Sequence, residues 1–193
     1  MEFAPGQRFG ERFVLEAPAE HCGLGLTWKA RDTEAGDLCL VKRVRPDADL
    51  RELDLLRKLQ GTRVVAVRAV GGDATGRWVA TDLPGGESLA RVIERPRAEK
   101  RERALPEART VALNLCAAIA TAHRIHEPAL SVHGGLTPAS VYVRALAGDE
   151  RHVTVGDFGL LRHLVDASWS APSVSGQVWF PVAPELAANA RRA

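Results

Sequence analysis

Between residues 12 and 82 the apolar side chains come in short runs broken by turn-forming residues. The runs 12–15, 26–31, Leu38–Val44, 64–70 and 77–82 are rich in β-branched, aromatic and leucine residues, a pattern that predicts strands. Glu34-Ala35-Gly36-Asp37 and the stretch 71–76, with Gly71, Gly72 and Gly76, predict hairpin connections, because glycine and aspartate accept backbone angles that branched residues resist. One helix interrupts this half, over 49–59, where Leu53, Leu56 and Leu59 recur at helical spacing with Leu55 beside them. Past the pair Gly85-Gly86 the period changes. A short helix is predicted over 88–93 and a long one over 105–126, with Pro106 suited to a first turn and Ala108, Val111, Ala112, Leu115, Ile119 and Ala122 forming its core stripe. The intervening run 95–103, mostly charged or proline, reads as a solvated loop.

Composition narrows the function classes. The 193 residues suffice for one domain or two small lobes, and 46% hydrophobic residues support a packed core. Lysine and arginine total 26 against 24 aspartates and glutamates, and the net charge of +2 supplies no field for nucleic acid. Cys22, Cys39 and Cys116 are odd in number and widely spaced, which fits neither a disulfide framework nor a metal motif and predicts reduced thiols in a cytoplasmic protein. No run approaches the roughly 18 apolar residues of a membrane span.

The chemistry-bearing positions lie further along. His133-Gly134-Gly135-Leu136-Thr137-Pro138-Ala139-Ser140 is followed by Asp157-Phe158-Gly159 and then by Ala183-Pro184-Glu185. In order and approximate spacing these resemble the H-R-D-L-x-x-x-N, D-F-G and A-P-E signatures of protein kinases. Upstream, Gly23 and Gly25 lie where bacterial serine/threonine kinases carry a glycine-rich loop, and Cys39-Leu40-Val41-Lys42 resembles V-A-I-K. Glu52, Leu56 and Leu59 match the E-x-x-x-L-x-x-L run of the family's first large helix. Thr81 stands at the gatekeeper position, Asp82, Leu83 and Pro84 at the hinge, and Gly86-Glu87-Ser88-Leu89 resembles the bacterial G-E-S-L.

The resemblance implies an α+β, two-lobed kinase-like fold. Residues 1–83 form a five-stranded antiparallel N-lobe with one helix, residues 84–193 a partial, mostly helical C-lobe, and the hinge lies at about 82–86. Eight residues follow Glu185, so the helices that close the family's C-lobe are missing, and a protein partner or a second copy is expected to cover the exposed surface. The nucleotide would meet Gly23, Gly25, Lys42, Thr81, Asp82, Leu83 and Asp157, with Lys42 paired to Glu52 and Asp157 holding magnesium. The implied cofactors are therefore ATP and magnesium.

The departures fall on the reacting groups. Gly135 replaces the base, Gly134 its arginine, Thr137 the lysine and Ser140 the metal-binding asparagine. Glycine cannot accept a proton, and base assistance alone is worth about 10²- to 10⁴-fold. Leu40 replaces the small alanine beside adenine, and Glu20 and Cys22 replace two loop glycines. The expectation is a pseudokinase that acts as a binding scaffold or regulator, with weak or absent ATP binding. The alternative is an atypical serine/threonine kinase in which Lys42 and Asp157 still handle ATP.

Overall fold

The computed structural model describes residues 4–19, 26–74, 76–94, 104–125, 132–146 and 151–164. Its larger sheet contains β1 (Arg8–Phe9), β2 (Phe13–Pro18), β3 (Thr27–Asp32), β4 (Leu38–Val44), β5 (Val67–Asp73) and β6 (Gly76–Asp82). All pairings are antiparallel, in the order β1-β2-β3-β4-β6-β5. The sheet therefore has six strands where the sequence predicted five. The additional strand is β1, a two-residue segment turned back onto β2 through Gly10 and Glu11, both at positive φ, with no hydrophobic run of its own to announce it.

Period-2 alternation divides the sheet into two faces. Phe13 and Leu15 of β2, Trp28 and Ala30 of β3, Cys39 and Val41 of β4, and Trp78 and Ala80 of β6 share one core with Phe9. The Gly10 N–H donates to Asp73 Oδ2 at 2.9 Å, so the two ends of the sheet meet and this face becomes the inside of a curl. Trp78 fills the closure, edge-on to Phe13 with ring centroids 5.3 Å apart. A Cβ at either Gly10 or Gly71 would lie 2.5 Å from Trp78 Cζ2, which is why both positions are glycine. Full burial of side chains such as Phe9 and Phe13 contributes about 1.5–3 kcal/mol each.

The opposite face carries Leu40, Lys42, Val44, Val79 and Thr81, all buried. Val44 and Val79 join a core that also draws on α1 (Leu50–Leu55), on the 3-10 turn Leu56–Leu59 and on the second half of the chain. Asp49 caps α1 by accepting from the Arg51 N–H at 2.8 Å. The expected 49–59 helix is thus an α-turn tightened into 3-10, which keeps Leu53, Leu56 and Leu59 buried together.

Beyond β6 come β7 (Glu87–Ser88), α2 (Leu89–Glu94), α3 (Ala104–His123), β8 (Val141–Ala145) and β9 (Arg151–Val155), with a second sheet ordered β7-β8-β9. Val155 bridges to Val64, its N–H donating to Arg63 O at 2.9 Å and its carbonyl accepting from Val65 N at 2.8 Å, which fixes β9 against the first half. On α3, Val111, Ala118 and Ala122 are buried, with Leu115 and Ile119 half-buried, whereas Ala108 and Ala112 of the expected stripe are exposed. The helix is apolar nearly all round, so its pattern alone did not select the face: Ala112, Leu113, Cys116, Ala117 and Ala120 are exposed.

Candidate functional site

Lys42 is aimed inward by the alternation of β4, between the buried Leu40 and Val44. Its Nζ lies 2.8 Å from Asp157 Oδ1, the two side chains being 1% and 5% exposed. Asp157 follows β9 and adopts a left-handed conformation, φ 58°, which aspartate tolerates better than most residues. Three backbone hydrogen bonds hold this turn: Gly156 N donates to Ser140 O at 2.8 Å, Gly159 N to His133 O at 3.0 Å, and Leu160 N to Asp157 O at 3.1 Å. Phe158, 2% exposed, packs edge-on against His133 with centroids 5.2 Å apart.

His133 is the pin of this arrangement. Its Nε2 is 2.9 Å from Gly156 O and its Nδ1 is 3.3 Å from the Gly135 N–H. A carbonyl can only accept and an amide can only donate, so one neutral tautomer, protonated at Nε2, satisfies both contacts. Burial holds its pKa below the ordinary imidazole value, opposed by the Gly156 carbonyl and by the Asp157 charge.

The substituted positions between His133 and β8 carry glycine, threonine and serine. Gly134, at φ 80°, and Gly135 bring no side chain. Ser140 is fully buried, its hydroxyl donating to Thr137 O at 2.9 Å and accepting from Thr137 N–H at 3.0 Å. Both bonds lie inside a 3-10 turn, Pro138–Ser140, and turn the hydroxyl toward its own loop. Thr137 is buried, and its Oγ1 has no partner among the described residues.

Glu52 is placed differently from the expectation. Its carboxylate receives the Arg162 guanidinium, and its Oε2 lies 3.3 Å from His163 Nε2. Arg162 and His163 belong to a 3-10 turn, Leu161–His163, just after Asp157-Phe158-Gly159. The Arg45 N–H donates to His163 O at 2.7 Å, and Val44 bridges to Leu164. Leu160 and Leu164 are buried in the core that holds Leu53 and Leu56, so this turn occupies the space beside α1 and draws Glu52 toward itself.

On β6, Thr81 is buried directly opposite Leu40 in the β4–β6 register. Leu40 is 2% exposed, so its larger side chain fills the position that the resemblance gives to a small residue. Asp82 accepts from Arg68 Nε, and Leu83 is exposed. Gly23 and Gly25 lie outside the described residues, as do Ala183-Pro184-Glu185 and the serines of 165–182.

The sequence reading missed an ion network on the curl side. The β5 register shift between Val67 and Ala69 inserts Arg68, which reaches Asp37 and Asp82 and approaches Asp32 at 3.4 Å. Asp32, with a fully buried side chain, takes Arg12 in a two-point contact at 2.8 and 2.7 Å and two backbone N–H groups from Glu34 and Ala35. The Arg12 bond holds its carboxyl far below the ordinary range. Hydrogen bonding to Asp37 raises the Arg68 pKa in turn. Cys39 is buried beneath this network, its thiol pushed up to about 12 by desolvation.

As donors for magnesium, the site offers one carboxylate, Asp157, already on Lys42, and a serine hydroxyl turned away. Among the described residues no group of three or more His, Cys, Asp or Glu could hold a metal ion. Magnesium takes one or two protein carboxylates and fills the rest of its shell from water and substrate phosphates, so Asp157 alone stands at the lower end of that requirement. Nor does any helix among the described residues have the length and apolarity to cross a membrane.

The kinase domain of PknI from Mycobacterium tuberculosis, solved as a double mutant, matches with a TM-score of 0.59 over 82% of this chain. The chain has a protein kinase-like fold. Identity over the match is 18%, and it spans 64% of that neighbour's chain, a little under two thirds. No family model matches the sequence. The fold accounts for the way distant segments meet: the strand lysine, the aspartate after β9 and the His133 loop converge although the motif residues between them have changed.

Proposed function

We propose that this chain is a pseudokinase, a kinase-fold module that works by binding a protein and transfers little or no phosphate. The observation that carries the reading is the Ser140 hydroxyl folded back onto Thr137 beside Gly135. With no side chain at the base position and a buried, inward-turned Ser140 hydroxyl at the second metal position, the loop has neither the family's proton acceptor nor its asparagine ligand. The buried Lys42–Asp157 pair and the buried Leu40 support weak or absent ATP and magnesium binding, since a ligand would have to separate the pair and displace the leucine. The two-lobed division at residues 82–86, a cytoplasmic setting and the absence of nucleic acid among the partners belong to the same proposal.

The binding surface in this reading includes the exposed face of α3, where Ala112, Leu113, Cys116, Ala117 and Ala120 lie side by side. A protein partner or a second copy of this chain covers it, because apolar residues spaced this closely on a helix are normally buried.

A second reading keeps enzyme activity: Lys42 and Asp157 are retained and brought together, so an atypical kinase would use them with ATP and recruit another acid as base. Thermal shift with magnesium and ATP separates the two, since any ligand that binds only the folded state raises stability by mass action. The pseudokinase reading expects no shift at millimolar nucleotide. A shift that is lost in Lys42→Ala favours the enzyme.

A further inference from the structure

The residues after Asp157-Phe158-Gly159 form a clasp whose central atom has two incompatible partners. His163 Nε2 lies 3.1 Å from Arg162 Nε and 3.3 Å from Glu52 Oε2. The guanidinium nitrogen can only donate, so the short contact requires an unprotonated Nε2. A proton on Nε2 cancels that bond and sets two cations against each other at the same distance. It offers a contact to Glu52 Oε2 in return, on a carboxylate whose charge Arg162 at Oε1 already offsets.

We infer that Glu52, Arg162 and His163 form a proton-sensitive clasp that pins the turn Leu161–His163 across the end of β4 and against α1, and that protonation of His163 loosens it. The clasp has a backbone component, the Arg45 N–H on His163 O at 2.7 Å, and an apolar one, Leu160 and Leu164 in the shared core. While it is closed, Glu52 is held on the turn and Lys42 is held by Asp157. The charged groups acting on the imidazole are Glu52 and Asp49 from α1 and its cap, Arg45 from the end of β4, and Arg162 from the turn itself. Burial is the largest influence and lowers the pKa; Glu52 opposes it, and Arg162 and Arg45 add to it.

The direction follows from linkage. A histidine whose pKa is depressed in the closed form leaves the clasp at full strength above the ordinary value of 6.5. Below that value the open form takes up the proton first, and the clasp weakens about tenfold for each unit by which closure depresses the pKa. The inference does not depend on whether the chain binds ATP.

The test is hydrogen exchange by NMR on the full chain, expressed as protection factors so that intrinsic exchange chemistry cancels, at about pH 7.5 and about pH 5. The Arg45 amide reports the clasp and the Val79 amide, in the core of β6, reports global opening. The expected result is a fall in Arg45 protection at the lower pH that exceeds any fall at Val79, and its disappearance in His163→Gln, which keeps a hydrogen-bonding side chain without a titration. A parallel titration of the His163 ring in the wild-type chain needs no variant. Arg45 protection that falls no more than Val79, an undiminished excess fall in His163→Gln, or a His163 pKa at or above 6.5 overturns the proposal.

Discussion

Lys42 and Asp157 face each other across 2.8 Å with almost no solvent on either side chain. A buried ion pair contributes little net stability over an apolar pair, but losing one member strands the other charge at a cost of about 3–5 kcal/mol. Asp157→Ala is therefore expected to destabilise the fold by about that amount, and Lys42→Met with Asp157→Leu by clearly less than the sum of the two single changes. Urea unfolding of the wild-type chain, Asp157→Ala, Lys42→Met, Asp157→Leu and the double variant checks this. If Asp157→Ala unfolds at the wild-type midpoint, the pair is not structural.

The Ser140 hydroxyl holds the Thr137 amide in a turn where both of these residues are buried. Removing it in Ser140→Ala leaves a buried N–H unpaired, which costs about 1–3 kcal/mol. Equilibrium denaturation is expected to show a loss in that range, and a neutral outcome would mean the hydroxyl is available for other work.

Trp78 is wedged against Gly10 and Gly71, where an added methyl would come within 2.5 Å of its ring. Gly71→Ala is expected to destabilise by about 1–3 kcal/mol, the usual cost of overpacking. In the background Trp78→Phe, which shortens the ring at the point of contact, the same change costs less. A double-mutant cycle by thermal unfolding measures the difference, and strict additivity contradicts the wedge.

Asp32 and His133 contribute to the acid limb of stability alongside Asp37 and His163. Asp32 has its pKa lowered from 3.8, chiefly by the Arg12 bond, so its contribution is present above that value and is lost as pH falls below it. His133 is lowered from 6.5, chiefly by burial, so stability is flat above 6.5 and begins to fall below it as the unfolded chain takes the proton. Stability against pH is expected to show two separate losses, the upper one reduced in His133→Asn and the lower one reduced in Arg12→Met. A single loss confined to one region contradicts the assignment.

Much of the fold was legible because it rests on local signals. The β4 strand around Lys42 and the helical spacing of Leu53, Leu56 and Leu59 are each written in a few neighbouring residues, and each lies where those residues predicted. What was illegible depends on long-range geometry. β1 is too short to carry a pattern, Arg68 reaches its three carboxylates only because of a bulge, and the face of α3 is undetermined in a helix that is apolar on both sides. Glu52 matched a helix motif whose partner was expected to be Lys42, yet a turn more than a hundred residues away supplies Arg162 as its cation, and no spacing rule contains that competition.

The central claim is that a loop with Gly135 and an inward Ser140 cannot move a proton or hold the second cation. Its most direct measurement is transfer of radiolabelled γ-phosphate from magnesium-ATP, to the chain itself and to a generic protein substrate, with Lys42→Ala as the control. The account predicts that wild-type incorporation is no greater than that of Lys42→Ala. Sustained turnover by the wild-type chain that Lys42→Ala abolishes contradicts it.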